Sequence, residues 1–112
     1  MSARRGDIWL VDFDEPIGRE QSGRLPAVVV SADRLNESRA GVVIVVPCTT
    51  AHRGLPSHVE LDPALTGLDE VSYAKCEDVK SVSERRLISP LGRADDEALF
   101  LIKRALQFLL AF

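Results

Sequence analysis

Apolar and polar residues alternate along most of the chain in short segments, which is the pattern of half-buried β-strands. One segment is an almost uninterrupted run of Val and Ile, which is typical of a strand in the interior of a sheet. The pattern predicts strands over residues 7–13, 26–31, 41–48, 58–61, 72–77 and 87–92. Five or six short strands joined by turns predict a mainly β fold, most simply a small barrel.

The last segment of the chain changes to helical periodicity. Apolar residues recur every three or four positions after Asp95, and Asp95 is itself a favourable N-cap. These features predict a C-terminal helix. Phe100 and Phe108 lie off its apolar stripe. They are either isolated surface aromatics or part of a subunit interface, and two Phe residues on one short helix favour the interface.

Length and composition limit the classes of protein to which the chain can belong. It has 112 residues, 46% of them apolar, and no internal repeat or break in composition, so a single domain over residues 1–112 is expected. Its apolar runs are too short to span a bilayer. Because the N-terminus has no apolar signal region, a cytoplasmic location is expected.

Polar loops over residues 14–24 and 49–56 interrupt the predicted strands. A loop as long as the first one is unusual in a compact domain and is often functional. The net charge of −3 argues against a domain that binds nucleic acid by bulk electrostatics alone. All basic residues in the first half of the chain are Arg, however, and guanidinium groups suit forked recognition of phosphates. Spacing alone indicates only a site formed by two loops.

Histidines and cysteines are the remaining candidates for chemistry. Cys48 and Cys76 are expected to be free thiols in a cytoplasmic protein. Together with His52 and His58 they lack the close spacing that structural zinc prefers, so no metal or other cofactor is predicted. His52 and His58 are a candidate acid–base pair for RNA cleavage, because imidazole titrates near neutral pH. The position of His58 at the start of a strand favours a structural or substrate-contact role equally.

Several blocks of the sequence together match the pattern of one protein family. The first blocks are RGDIWLVDFD at 5–14, GREQSGRLPAVVVS at 18–31 and VPCTT at 46–50. The similarity continues through LPSHVEL at 55–61, DVKSV at 78–82, residues 88–92 and the terminal helix. In these blocks the chain resembles the MazF/PemK toxins, the endoribonuclease halves of bacterial toxin–antitoxin pairs. Because the blocks follow in the same order at the same spacing over nearly the whole chain, the resemblance is specific.

The resemblance implies an SH3-like β-barrel with a C-terminal helix, working as a homodimer. It also implies metal-independent, sequence-specific cleavage of single-stranded RNA, chiefly mRNA, by attack of the RNA's own 2′-hydroxyl, and neutralisation by a cognate MazE-like antitoxin. It assigns a catalytic role to Thr49. RNA contacts are implied for Glu20, Gln21, Pro26, Thr50, His58, Glu77 and Asp78, and Asp78 stands where many relatives have Gln.

The chain departs from the family pattern at the other catalytic position. The family has Arg immediately before the strand-initial Pro, whereas here Leu25 precedes Pro26 and Arg24 lies one place earlier. A shift of one residue beside a strand turns a side chain to the opposite face. Two interpretations stay open: Arg24 reaches inward from the loop, or the chain lacks the arginine and cleaves RNA weakly.

Two alternatives to an active endoribonuclease remain. Gyrase-binding toxins of the CcdB type share the implied fold, but they end in a Trp-Gly-Ile tail, whereas this chain ends Leu110-Ala111-Phe112. Its tryptophan, Trp9, lies in the first predicted strand. The second alternative is a homologue that binds RNA and antitoxin without cleaving, which Leu25 favours.

Overall fold

A computed structural model of the chain describes residues 2–13 and 23–112. Within these residues the chain forms one seven-stranded antiparallel sheet, three α-helices and two 3₁₀ turns, Cys76–Asp78 and Glu84–Arg86. The strands are β1 (Asp7–Phe13), β2 (Gly23–Val29), β3 (Val42–Thr49), β4 (His58–Leu61), β5 (Ser72–Lys75), β6 (Lys80–Ser83) and β7 (Leu87–Arg93). The helices are α1 (Asp33–Asn36), α2 (Pro63–Thr66) and α3 (Asp96–Leu110).

Strand β3 organises the sheet because it pairs with three neighbours. Its first half pairs with β6, its middle with β2 and its end with β5. The strand order of the sheet is β4-β5-β3-β2-β1-β7, and β6 lies outside this order as a further partner of β3. Shifts of register between β1 and β7 add the local bend that such irregularities produce. The ladders among the described residues do not close the sheet. The predicted mainly β, SH3-like fold with a C-terminal helix is confirmed.

Side chains on the two faces of the sheet form two separate cores, as the pleat requires. We call the face under α3 the helix-side face; its buried residues include Ile8, Val28, Val46, Cys48, Val59 and Ala74. We call the opposite face the far face; its buried residues include Trp9, Phe13, Ala27, Val43, Val45 and Val82. The face to which a side chain at the end of a strand projects can therefore be read from its buried neighbours in that strand.

Helix α3 begins where the sequence predicted. The Asp95 carboxylate accepts a hydrogen bond from the backbone N–H of Ala98 at 3.4 Å, and Ala98 and Ile102 are buried against the helix-side face. Phe100 is 55% exposed and Phe108 is 85% exposed, so both lie off the buried stripe as expected. Among the described residues, no helix is long and apolar enough to cross a membrane.

The boundaries of β2 and β5 differ from the predicted ones. Strand β2 begins at Gly23, so Pro26 lies inside the strand and is not its first residue. Proline is tolerated there because β2 pairs only with β1 up to Pro26, and its ladder with β3 starts at Ala27. Strand β5 ends at Lys75, and a 3₁₀ turn over Cys76–Asp78 takes the place of the predicted strand end.

Two elements were not predicted at all. Strand β6 was not predicted because Val82 is its only buried residue and the rest of the segment is polar. Helix α2 has a readable signal, since the Asp62 carboxylate caps Ala64 N at 2.9 Å, Pro63 follows the cap and Gly67 ends the helix at φ +85°. The sequence therefore marks both the start and the end of α2.

Candidate functional site

Arg24 and Leu25 project to opposite faces of strand β2. Leu25 is half-buried and packs against the far-face core, in line with Ala27. Arg24 is exposed and lies opposite Asp12 of β1, whose strand neighbours Val11 and Phe13 belong to the far-face core. Alternation therefore turns Arg24 to the helix-side face and Leu25 to the far face.

Thr49, the candidate catalytic threonine, projects to the far face as well. Its neighbour Cys48 belongs to the helix-side core, so the pleat turns Thr49 the other way. The ladder between β2 and β3 pairs Ala27 with Pro47, and Leu25 and Thr49 each lie two residues beyond that pair. The side chains at positions 25 and 49 therefore lie next to each other on the far face, whereas the side chain at position 24 projects to the helix-side face.

The hydroxyl of Thr49 is oriented by the start of the following loop. Thr49 Oγ1 accepts a hydrogen bond from the backbone N–H of Ala51 at 3.1 Å, and the residue is half-buried. A hydroxyl that accepts at one lone pair keeps its own proton for donation. Thr49 can therefore donate a hydrogen bond outwards from a fixed position.

Tyr73 and His52 extend the site next to Thr49. Tyr73 lies directly opposite Thr49 in the ladder between β3 and β5. The ring of exposed His52 stacks on the ring of Tyr73, with centroids 5.0 Å apart and planes 11° apart. Tyr73 was not among the predicted site residues, although it lies on the polar side of an alternating strand, which is a signal for an outward-facing aromatic residue.

A hydrogen-bonded cluster of Ser57, His58 and Glu77 lies where β4 begins and β5 has ended. Ser57 Oγ donates to Glu77 Oε1 at 2.7 Å, and His58 Nε2 donates to Glu77 Oε2 at 2.9 Å. The His58 side chain is 3% exposed and that of Glu77 is 34% exposed. The structure thus brings together two predicted RNA-binding residues and adds Ser57. Glu77 offers its carboxylate outwards while His58 supports it from within.

This cluster controls the charge of Glu77. Partial burial acts to raise the pKa of Glu77, but the hydrogen bonds from Ser57 and His58 outweigh it and hold this pKa below its ordinary value. Because the carboxylate accepts from Nε2, that nitrogen carries a proton. The other ring nitrogen, His58 Nδ1, is buried without a hydrogen-bond partner.

Asp78, the residue that departs from the usual Gln, is neutralised by a neighbour. Lys75 Nζ lies 3.0 Å from Asp78 Oδ2, across the 3₁₀ turn. The side chains of Lys75 and Asp78 are 19% and 30% exposed. The pair reduces the repulsion that a lone carboxylate at this position exerts on a phosphate.

Pro26 and Thr50 line a cleft that does not include Thr49. They share a cavity of about 410 Å³ with Asp69 and Glu70, among other residues. The two carboxylates make this cleft less suited to a polyanion than the far face. The remaining predicted RNA-binding residues, Glu20 and Gln21, lie outside the described residues.

The four residues considered as a zinc site are not brought together. Cys48 and Cys76 are buried as free thiols in the helix-side core, where burial raises the pKa of each thiol to about 12. His52 instead stacks on Tyr73, and His58 is bonded to Glu77. Across residues 2–13 and 23–112, no group of three or more potential ligands is placed to hold a metal ion.

Comparison with known proteins gives consistent matches over the whole chain. The family described as PemK-like, MazF-like toxin of type II toxin–antitoxin system matches residues 4–110. The chain is 38% identical to endoribonuclease MazF9 of Mycobacterium tuberculosis, covering 93% of this chain and 92% of that protein. It is 30% identical to endoribonuclease EndoA of Bacillus subtilis, covering 99% and 97%.

Solved structures show the same fold. The structure of MazF from Deinococcus radiodurans superposes with a TM-score of 0.88 at 27% identity, covering 100% of this chain and 99% of that one. A MazE–MazF structure from the same organism superposes with a TM-score of 0.82, covering 100% and 98%. With this fold, and with a family match from residue 4 to residue 110, the chain belongs to the PemK-like, MazF-like toxins of type II toxin–antitoxin systems.

Proposed function

We propose that this chain, as one toxin domain over residues 1–112, cleaves single-stranded RNA at a short sequence without a metal cofactor. Relatives at 30–38% identity are named endoribonucleases, and the chain is an endoribonuclease toxin of this kind. The observation that carries the placement of the site is the shared face of position 25 and Thr49. We assign RNA binding to the far face around these two positions.

The reaction that this site supports is an internal transesterification. The 2′-oxygen of the RNA forms a bond to phosphorus while the bond from phosphorus to the 5′-oxygen breaks. The proton leaves the 2′-hydroxyl and a proton reaches the 5′-oxygen, which gives a 2′,3′-cyclic phosphate and a 5′-hydroxyl. Negative charge accumulates on the phosphate oxygens in between, so the protein must offer preorganised donors there.

Thr49 and the residue at position 25 are placed to offer such donors. The Thr49 hydroxyl is held by Ala51 N–H and keeps its proton for a phosphate oxygen. An arginine at position 25 would project from the adjacent strand to the same face and give a forked, permanently charged contact. Thr49 orients and stabilises the phosphate, while position 25 balances its charge.

Leu25 leaves this site without its guanidinium. A leucine neither donates a hydrogen bond nor carries charge, and its side chain packs on the far-face core. Arg24 is turned to the other face of β2, so it does not take over the role. We propose that the chain binds RNA and cleaves it weakly, which keeps an RNA-binding, catalytically inactive homologue as the second candidate.

Two other groups, Glu77 and Lys80, supply contacts to RNA in this proposal. Glu77 presents a carboxylate, held ionised by Ser57 and His58, that accepts hydrogen bonds from the amino groups of bases. Lys80 projects to the far face, because it lies opposite Val45, and its Nζ lies 5.6 Å from the centroid of the Phe13 ring. Lys80 adds positive charge near the core against which Leu25 packs.

The partners follow from the family and from the exposed face of α3. A solved relative is a MazE–MazF complex, and this toxin is neutralised by a cognate MazE-like antitoxin. The exposed apolar residues of α3, Phe100 and Phe108 among them, form the interface of a homodimer in our proposal. We place the protein in the cytoplasm, where mRNA is translated.

A cleavage assay in the presence of EDTA tests the proposed function. A long RNA with little secondary structure is incubated with the protein, with Thr49→Ala and with Thr49→Ser. We expect slow cleavage by the unaltered protein, loss of cleavage in Thr49→Ala and partial retention in Thr49→Ser, which keeps the hydroxyl. Added cognate antitoxin abolishes cleavage. Cleavage that Thr49→Ala leaves unchanged, or that requires added metal, would contradict the proposal.

A further inference from the structure

The stacked rings of Tyr73 and His52 form a small aromatic column beside the candidate catalytic threonine. Tyr73 is half-buried and lies between Thr49 of β3 and Glu60 of β4 in the two ladders of β5. Residues that lie opposite one another in adjacent strands project to the same face. The base of the column is therefore fixed in the sheet on the face that carries Thr49.

His52 is the outer member of the column and is exposed. The rings are nearly parallel, at 11°, so the outer face of the imidazole continues the direction of the stack. The backbone position of His52 depends on Thr49, because Thr49 Oγ1 accepts the N–H of Ala51, the residue before His52. The hydrogen bond between Ala51 N–H and Thr49 Oγ1 thus links the position of the column to that of the Thr49 hydroxyl.

A flat, exposed ring held at fixed orientation is the surface on which single-stranded nucleic acids stack their bases. The next residue, Arg53, is also exposed and carries a cation suited to the phosphate that adjoins a stacked base. Glu60, which lies opposite Tyr73, offers an acceptor to the edge of such a base. These features suit an unpaired nucleotide of RNA.

We infer that Tyr73 and His52 are a stacking platform for one nucleobase next to the scissile phosphate. This inference rests on the proposed function and adds a specificity-determining element to it. The outer face of His52 receives the base, and Tyr73 holds His52 in the orientation that the base requires. The platform binds and orients the substrate, whereas Thr49 acts on the phosphate.

Fluorescence of 2-aminopurine tests the platform, since stacking quenches this base. The RNA is an oligonucleotide that covers the mapped cleavage sequence, with a 2′-deoxynucleotide at the attacking position so that it is not cut. 2-Aminopurine replaces each nucleotide around the cleavage site in turn. We expect quenching at one position with the unaltered protein. His52→Ala should relieve it and weaken binding by about 5- to 150-fold, in line with the measured contribution of a stacked base.

Two variants separate stacking from a merely structural role of His52. His52→Phe keeps a flat ring and should retain both the quenching and the affinity, and Arg34→Ala, an exposed change on α1, should affect neither. Loss of affinity in His52→Phe equal to that in His52→Ala would overturn the inference, as would quenching that His52→Ala leaves unchanged. Either of these two contrary outcomes would leave the proposed function intact. Absence of both RNA binding and cleavage in every variant would overturn the proposed function and the inference with it.

Discussion

Replacement of Leu25 by arginine should raise the rate at which this protein cleaves RNA. Leu25 projects to the same face as Thr49, so an arginine there reaches the phosphate that Thr49 contacts. One preorganised donor to a developing oxyanion contributes about 10²–10³ in rate, equivalent to about 2.7–4 kcal/mol. Leu25→Arg is therefore expected to raise the rate of RNA cleavage by about that factor.

The fold should tolerate this substitution. Leu25 is only half-buried and lies near the start of β2, where the strand pairs with β1 alone. The aliphatic part of an arginine can cover the same apolar surface while its head stays in water. We expect a loss of stability of about 1 kcal/mol, which leaves the protein folded at the temperature of the assay.

Initial rates of loss of full-length RNA in EDTA measure the effect. Leu25→Lys is the matched control, since it adds a charge without the fork and should give a smaller gain than Leu25→Arg. Adding Thr49→Ala to Leu25→Arg should depress the rate again. If the Leu25→Arg variant cleaves RNA no faster than the unaltered protein, the reasoning is refuted. Efficient cleavage by the unaltered protein that Arg24→Ala abolishes would instead assign the role to Arg24.

Three further substitutions test the fold, the Glu77 cluster and the dimer. A Cβ on Gly92 would lie 1.9 Å from the backbone oxygen of Thr66, so Gly92→Ala should lower the free energy of unfolding in urea by about 1–3 kcal/mol or more; an unchanged midpoint would show that the two segments are not packed as described. The folded-state pKa of Glu77 lies below its ordinary value of 4.5, so ionised Glu77 stabilises the fold above that pH and this contribution disappears as the pH falls through the folded pKa. The difference in melting temperature between the unaltered protein and Glu77→Gln should accordingly shrink from about pH 7 to about pH 3, and a difference independent of pH would contradict this. Phe108 is 85% exposed on α3, so Phe108→Ser should leave the monomer folded and shift sedimentation from dimer towards monomer; a dimer of unchanged affinity would place the interface elsewhere.

Most strands could be predicted from sequence because successive side chains of a strand project to opposite faces, so burial on one or both faces fixes the order of apolar and polar residues. Val43 and Val45 face one core while Val46 and Cys48 face the other, which produces the continuous apolar run of β3. Strand β6 lacks such a pattern, since Val82 alone is buried in it. Its pairing with β3 comes from the tertiary arrangement and not from local sequence.

The components of the site were partly predictable, but their arrangement was not. The resemblance supplied Thr49, His58 and Glu77 as residue positions. The bond between His58 and Glu77 depends on β4 pairing with β5, which brings residues 19 positions apart into contact. The stack of His52 on Tyr73 likewise depends on the turn after Thr49. No local spacing encodes either contact.

Sequencing of RNA 5′ ends tests the central claim most directly. A long RNA is incubated in EDTA with the unaltered protein, with Leu25→Arg and with Leu25→Arg combined with Thr49→Ala, and the new ends are mapped and their chemistry determined. We predict 5′-hydroxyl ends at one short recurring sequence, sparse with the unaltered protein, abundant with Leu25→Arg and depleted when Thr49→Ala is added. Ends that carry 5′-phosphate, ends scattered without a shared sequence, or no new ends with any of the three proteins would contradict the account.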